Sequence, residues 1–299
     1  MKHVFIINPK AGKKDNFKYI NSLLENYKSS YDIEVHQTNR ELDATEFTKN
    51  YLSKYDGEVR FYACGGDGTL NEVVNGIVGY DNASVGLFPC GSGNDFVKSV
   101  GDIKMFNDLE KLLNAPNKQI DVIKVNDKYS INVVNFGFEA YVCKVANNLK
   151  KKRTQNSYTL GIVAALFMAM KNEITVEVEG EIINQSGTLL LGSFANGGYA
   201  GGKYNCAPRY QVDDGLMEVL VVKPTNVFNL ISLIKVYEKG EHLNPEQTRI
   251  AKLISYCRGK KAKLYSKKEF DVCIDGEIIS GKEFDVEILE RKIKFAIPN

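Results

Sequence analysis

Three short glycine-rich turns, each directly after an apolar run of strand character, constrain this chain more than any other feature. Asn8-Pro9-Lys10-Ala11-Gly12 follows Val4 to Ile7, Gly65-Gly66-Asp67-Gly68-Thr69 follows Val59 to Cys64, and Gly91-Ser92-Gly93-Asn94-Asp95 follows Val85 to Phe88. Between the runs, apolar residues recur at helical spacing: Phe17, Ile20, Leu23, Leu24 and Tyr27, then Ala44, Phe47 and Tyr51. Ile33 to Val35 supplies a further strand. Alternation of this kind predicts a parallel sheet covered by helices. Thr69 with Glu72 three residues on reads as a capping box, so a helix is predicted to start near Leu70.

In an open α/β sheet, ligands bind beyond the carboxyl ends of the strands. Glycines there let backbone N–H groups approach phosphate oxygens, and a helix N-terminus adds its positive end. One such turn is ordinary loop chemistry, since glycine supplies positive φ. Three after successive strands describe a nucleotide phosphate site. Asp67 and Asp95 repeat a carboxylate in two of the turns, a pattern suited to Mg²⁺, which prefers carboxylate and water oxygens. Asp121 is a third carboxylate that completes the set. Two other motifs are excluded. GxGxxG is not formed after the first strand, which removes support for a dehydrogenase. Gly197 to Tyr204 has P-loop spacing until Tyr204 stands where a Ser or Thr must ligate Mg²⁺, so it reads as a loop.

The pattern changes near Ile120. Ile120 to Val125, the turn Asn126-Asp127 and Tyr129 to Asn135 read as a hairpin. A helical region from about Phe138 to Met170 follows. Strand signals then fall at Ile174 to Val178, Thr188 to Phe194, Met217 to Val222, Ala262 to Tyr265, Phe270 to Ile274 and Phe284 to Leu289, with one helix near Val227 to Lys239. The expected division is a nucleotide-binding α/β domain over residues 1–122 and a β-rich sandwich over 123–289. The last residues, 290–299, are expected to return to the first domain.

Composition sets limits. With 39 Lys plus Arg against 37 Asp plus Glu, the net charge of +2 argues against a dedicated nucleic-acid binder. The six cysteines form no CxxC pair and none neighbours a histidine, which speaks against zinc. With no apolar signal-peptide region after Met1, a reduced, cytoplasmic compartment is expected. The longest apolar run, Leu160 to Met170, is far short of the ~20 residues that span a bilayer. It reads as a buried helix, or as one touching a membrane surface, because Lys150, Lys151, Lys152 and Arg153 precede it.

At Gly65 to Thr69 with Asn71 and Glu72, and at Gly91 to Asp95, the sequence resembles the diacylglycerol kinase catalytic-domain family, which also holds sphingosine kinases and bacterial lipid kinases. The GGDGT turn alone is shared with NAD kinases and resembles the phosphofructokinase site. Asn8-Pro9-x-x-Gly12, Asp213-Asp214-Gly215 and Asp275-Gly276-Glu277 make the resemblance more specific, and the matches span nearly the whole chain. It implies an NAD-kinase-like and phosphofructokinase-like first domain.

The resemblance implies an ATP-dependent lipid kinase, with diacylglycerol the leading acceptor and phosphatidic acid the product. Ceramide, a sphingoid base, phosphatidylglycerol or NAD as acceptor are the alternatives, together with a nucleotide sensor that has lost turnover. By the same resemblance ATP lies on Asn8, Pro9, Lys10, Ala11, Gly12, Thr38, Gly65, Gly66, Asp67, Gly68, Thr69, Asn71, Glu72 and Ser92. Asp67, Asp95 and Asp121 support catalytic Mg²⁺, and Glu277 is the base facing the triphosphate. A structural Mg²⁺ is implied at Asp214 with the carbonyls of Gln211 and Leu216. Lys10, Lys13 and Lys14 are offered to phosphate or anionic lipid. A greasy cleft between the domains is expected to take the acyl chains, walled in part by Leu160 to Met170. Peripheral association with the inner face of the membrane follows, and a homodimer by analogy with bacterial relatives.

Overall fold

The computed structural model describes residues 1–12, 15–151 and 157–299. Lys13, Lys14, Lys152 and Arg153, named above as candidate cations, lie outside the described residues. The chain divides into two compact units. One comprises Met1–Val122, Val212–Asp214 and Glu290–Asn299, the other Ile123–Gln211 and Gly215–Leu289.

The first unit alternates β1 (Lys2–Ile7), α1 (Asn16–Leu24), β2 (Ile33–Gln37), α2 (Asp43–Leu52), β3 (Val59–Gly65), α3 (Asp67–Ile77) and β4 (Ala83–Pro89). β2, β1, β3 and β4 lie side by side, all parallel, and the chain's last strand joins beyond β4 through Phe295 opposite Val85. β3 and β4 are buried along their whole length, as a parallel strand between two helical layers must be. Three short helices follow that the sequence did not signal: α4 (Asp95–Val100), α5 (Ile103–Phe106) and α6 (Leu109–Leu113). The last two are too short to show a period, but each starts at an aspartate, Asp102 and Asp108, whose carboxylate accepts from the first turn.

The helix after the second glycine turn starts at Asp67, with Gly66 as its cap, and no capping box forms. Thr69 instead accepts from Asn8 Nδ2 at 3.2 Å. Glu72 turns to the neighbouring helix, where its two oxygens accept from Leu42 N at 3.0 Å and Ala44 N at 3.1 Å. It therefore caps α2, whose own cap residue, Leu42, has no capping side chain.

The second unit begins within β5 (Asn117–Val125), which turns at Asn126 (φ 52°) into β6 (Lys128–Ser130). The expected hairpin stops there, because the next segment leaves it. β7 (Val133–Gly137) pairs elsewhere, drawn off by Asp275, whose carboxylate takes the N–H groups of Ile131, Asn132 and Val133. The helical region is two helices, α7 (Phe138–Lys151) and α8 (Ser157–Met168). Then come β8 (Thr175–Val178), β9 (Glu181–Ile182), β10 (Leu191–Ala195), β11 (Tyr199–Ala200), β12 (Tyr204–Asn205), β13 (Met217–Val222), α9 (Val227–Lys239), α10 (Thr248–Ala251), β14 (Ile254–Gly259), β15 (Lys261–Ile274) and β16 (Glu277–Ala296). The two expected strands at 262–265 and 270–274 are one, β15, whose register shifts between Tyr265 and Phe270. Its first half pairs β8 and its second half pairs β7.

β14, β13, β10, β7, β15 and β16 lie in that order, antiparallel. β7, β10 and β13 are buried along their length. On one side Phe136, Phe194 and Val219 join the sandwich core with Leu264 and Val286. On the other, Leu191 and Leu220 meet α7, α8 and α9 through Val142, Ala165 and Leu230. Among the described residues no helix is long and apolar enough to cross a membrane.

Candidate active site

The three glycine turns of the first unit are packed against one another at backbone distance. Cys90 N and Gly91 N both donate to Gly65 O, at 2.8 and 3.1 Å. A Cβ on Gly66 would lie 3.3 Å from Gly91 Cα, and one on Gly12 would lie 2.6 Å from Cys90 O. Gly12 also holds φ 73°, so both its backbone and its surroundings require glycine. The first turn is fixed by Asn8, whose N donates to Cys64 O at 3.0 Å and whose Oδ1 accepts from Lys10 N at 3.0 Å. Thr38, also buried, hangs on the end of β1 through its N to Ile7 O at 3.0 Å. Pro9, Ala11 and Gly68 are part exposed, while Lys10 and Ser92 are exposed. Asn71 is buried within α3, where Asn75 donates to its carbonyl and its side chain.

Where these turns meet, two carboxylates come together. Asp67 Oδ1 accepts from Asp95 N at 2.6 Å, at the start of α4. Gly93 lies between them: a Cβ there would be 2.8 Å from Asp67 Oδ2 and 3.5 Å from Asp95 Oδ2. Lys98 Nζ holds the other oxygen of Asp95 at 2.7 Å. The first turn of α3 has no side-chain cap, since its cap residue is Gly66, and the space beside Gly68 is open. N–H groups at a helix start, open space and two adjacent carboxylates fit a polyphosphate with a divalent cation. Mg²⁺ is ordinarily held by one or two carboxylates plus phosphate oxygens and water.

Asp121 is fully buried in the same unit and is engaged elsewhere: its Oδ1 accepts from Arg291 N at 2.7 Å, and its own N donates to Val212 O at 2.7 Å. Among the described residues no three His, Cys, Asp or Glu side chains gather as a metal site. Around the implied structural metal, Gly215 turns the chain at φ 72°, and Asp213 pairs with Lys118 at 3.1 Å. Asp214 and Leu216 are part exposed, Gln211 exposed. The P-loop look-alike is a small hairpin of β11 and β12 whose Lys203 pairs with Glu238 at 3.0 Å.

In the second unit Glu277 opens β16, exposed, opposite Ile274 across the turn Asp275-Gly276. Both turn residues have positive φ, 47° and 101°, the geometry of a tight hairpin. Asp275 is the residue whose task the sequence hid. Beyond the three N–H groups above, it accepts from Ser130 Oγ at 2.7 Å, so its carboxylate ties the hairpin down. Asn147 of α7 adds a bond to Gly276 O at 2.8 Å.

The same helix walls a pocket. Phe138, Glu139 and Val142 of α7 face Leu230, Leu233 and Tyr237 of α9 around a pocket that opens to solvent, with Ile162 of α8 also lining it. The pocket lies within the second unit, and of the run Leu160 to Met170 only Ile162 lines it. Glu139 was invisible to sequence reading, because its apolar neighbours come from helices far apart in the chain. Glu139 and Asn147 are eight residues apart on α7, about 12 Å along the axis.

A family model of the diacylglycerol kinase catalytic domain matches residues 2–125. A second, the YegS C-terminal NAD kinase beta sandwich-like domain, matches residues 132–296, more than half of the chain. The chain belongs to the diacylglycerol kinase catalytic-domain family. It is thus a lipid kinase, an enzyme of a class that takes phosphate from ATP. The diacylglycerol kinase of Bacillus subtilis (strain 168) is 28% identical over 91% of this chain and 88% of its own length. That of Staphylococcus epidermidis (strain ATCC 12228 / FDA PCI 1200) is also 28% identical, over 98% and 91%. A diacylglycerol kinase structure from Bacillus anthracis str. Sterne superposes with a TM-score of 0.71 at 20% identity, covering 100% of this chain and 97% of that one. The lipid kinase fold is shared over its full length.

Proposed function

We propose that this lipid kinase transfers the γ-phosphate of ATP to the hydroxyl of diacylglycerol, giving phosphatidic acid. The observation that carries the reading is the meeting of Asp67 and Asp95 beside Gly93, at an uncapped helix start. Relatives that bear the name diacylglycerol kinase along nearly their whole length support the choice of acceptor. Phosphoryl transfer needs positioning and charge neutralisation more than covalent help. The glycine turns hold the phosphates through backbone N–H groups, and Asp67 and Asp95 would hold Mg²⁺, which supplies neutralising charge on the phosphate oxygens. Glu277 accepts the proton of the lipid hydroxyl as it attacks. The acyl portion occupies the pocket of the second unit, whose α7 also anchors the hairpin of Glu277.

We further propose that the enzyme works at a membrane surface through α8 and α9. Phe167 and Met168 are 83% and 70% exposed, and Phe228 on α9 is 79% exposed, more apolar side chain than an ordinary solvated helix displays. Labelled ATP, Mg²⁺ and mixed lipid vesicles test the whole reading, with NAD in a parallel arm. Label is expected in phosphatidic acid, and Glu277→Gln is expected to abolish it without moving the urea midpoint. Label in ceramide phosphate, a sphingoid base phosphate or NADP would replace the acceptor, and wild-type turnover by Glu277→Gln would remove its role as base.

A further inference from the structure

Glu139 is an ionisable side chain that phosphoryl transfer does not use. Its side chain is part exposed in the wall of the second unit's pocket, with Oε2 itself buried and unpartnered and the Tyr237 hydroxyl beside the carboxyl. Each element packed around it offers apolar or neutral groups. α8 contributes Ile162, β10 Leu191, β12 Tyr204, and α9 Tyr237 among leucines. His242 lies against Tyr237 with ring centroids 4.6 Å apart and the rings tilted by 46°, and burial keeps it neutral by lowering it to about 4. No basic side chain lines the pocket among the described residues. A carboxylate in such a wall would be an uncompensated buried charge, whereas a carboxylic acid is a hydrogen-bond donor.

An occupant made only of hydrocarbon would leave that donor nothing but the Tyr237 hydroxyl. A cationic amine would ionise it instead. The occupant that suits a neutral acid among apolar walls is an uncharged lipid with a carbonyl among its chains. We propose that Glu139 selects the acceptor, donating its proton in a hydrogen bond to an ester carbonyl of a neutral acyl lipid seated in this pocket. The inference rests on the reading of the pocket as the acyl site. Burial, working against the hydroxyl of Tyr237, lifts the carboxyl to about 7, so the acid form dominates below neutrality and gives way above it.

The test measures KM and kcat of the full chain between pH 6 and 9, with diacylglycerol and with its diether analogue, which lacks both carbonyls. For the wild type, KM for the diester is expected to rise about tenfold across that range with the Glu139 proton, against a smaller change for the diether. Glu139→Gln keeps a donor that cannot ionise, and its KM is expected to stay low and flat. Glu139→Leu is expected to bring the two lipids to the same KM. A glutamine variant that keeps the wild-type pH slope, or a leucine variant that keeps the ester preference, would overturn the proposal. So would a wild-type preference for a sphingoid base that is lost in Glu139→Gln, since that is the behaviour of an ionised partner. Leu233→Trp separates the two levels. If filling the pocket leaves lipid KM unchanged, the acyl-site reading falls. If KM rises while the Glu139 variants match the wild type, only the role of Glu139 falls.

Discussion

At position 67 one carboxylate does two jobs. Its Oδ1 receives Asp95 N and thereby starts α4, while its Oδ2 stays beside Asp95 at Gly93. The two jobs separate by substitution. Asp67→Ala removes the cap as well as the charge, and a lost cap costs about 1 kcal/mol. Asp67→Asn retains an oxygen that can accept from Asp95 N. Both variants are expected to lose turnover by on the order of 10² or more, as charge aimed at a transition state usually does when removed. Only the alanine should lower the urea midpoint, and an asparagine variant with wild-type turnover would refute the catalytic half. Glu139 makes the opposite case, a carboxyl whose proton the fold favours. Its folded value of about 7 lies above the ~4.3 of a free glutamate. Between these values the folded chain binds more protons than the unfolded one, so stability declines as pH rises through that window and stays lower above it. The loss amounts to roughly 4 kcal/mol at most, at about 1.4 kcal/mol per pH unit. Glu139→Gln is expected to gain on the wild type in urea midpoint as pH climbs from 5 to 8, and parallel curves would refute the burial of this acid.

Among the elements, the turns matter more than the strands they follow. Gly93 does not require its glycine for backbone reasons, since its φ is outside the left-handed region, but a Cβ there meets the Asp67 carboxylate at 2.8 Å. Gly93→Ala is therefore expected to displace the carboxylates with little change in stability. A misplacement of about 1 Å costs on the order of 10² in rate. An alanine variant with normal turnover would show that the pair is not needed where the structure puts it. The parallel strands and long helices of the first unit were legible because period and burial agree along each of them. The capping box was not, since Thr69 and Glu72 satisfy groups on other elements, Asn8 and the start of α2, which no local pattern reveals. The 120s hairpin misled for the same reason: Asp275, some 140 positions on, captures N–H groups that the local pattern assigned to β6. Asp67 and Asp95 could be paired on paper because their turns follow adjacent strands, whereas Glu139 needed three helices in place before its surroundings existed.

For the molecule as a whole, the decisive feature is that the first unit is assembled from three stretches of chain, the last of them Glu290–Asn299. This stretch adds the strand beside β4 and places Phe295, fully buried, edge-on to Phe96 at 5.2 Å. It also supplies the N–H of Arg291 to the carboxylate of Asp121, which is itself wholly buried. Ending the chain after Leu289 would expose one side of β4, empty the Phe295 site and strip a partner from a buried acid. Emptying a phenylalanine site alone costs about 3–5 kcal/mol, against a total stability of about 5–15 for a domain. The truncated chain is thus expected to lose the cooperative unfolding of its first unit, seen as rapid proteolysis within residues 1–122 while fragments of the second unit persist. Phe295→Ala should give a milder form of the same result, with the urea midpoint lowered and ATP still protective at high concentration, because a ligand that binds only the folded form stabilises it by mass action. A truncated chain that resists protease over residues 1–122 as the full chain does would mean that the sheet closes without its last strand, and that Asp121 owes its position to other contacts.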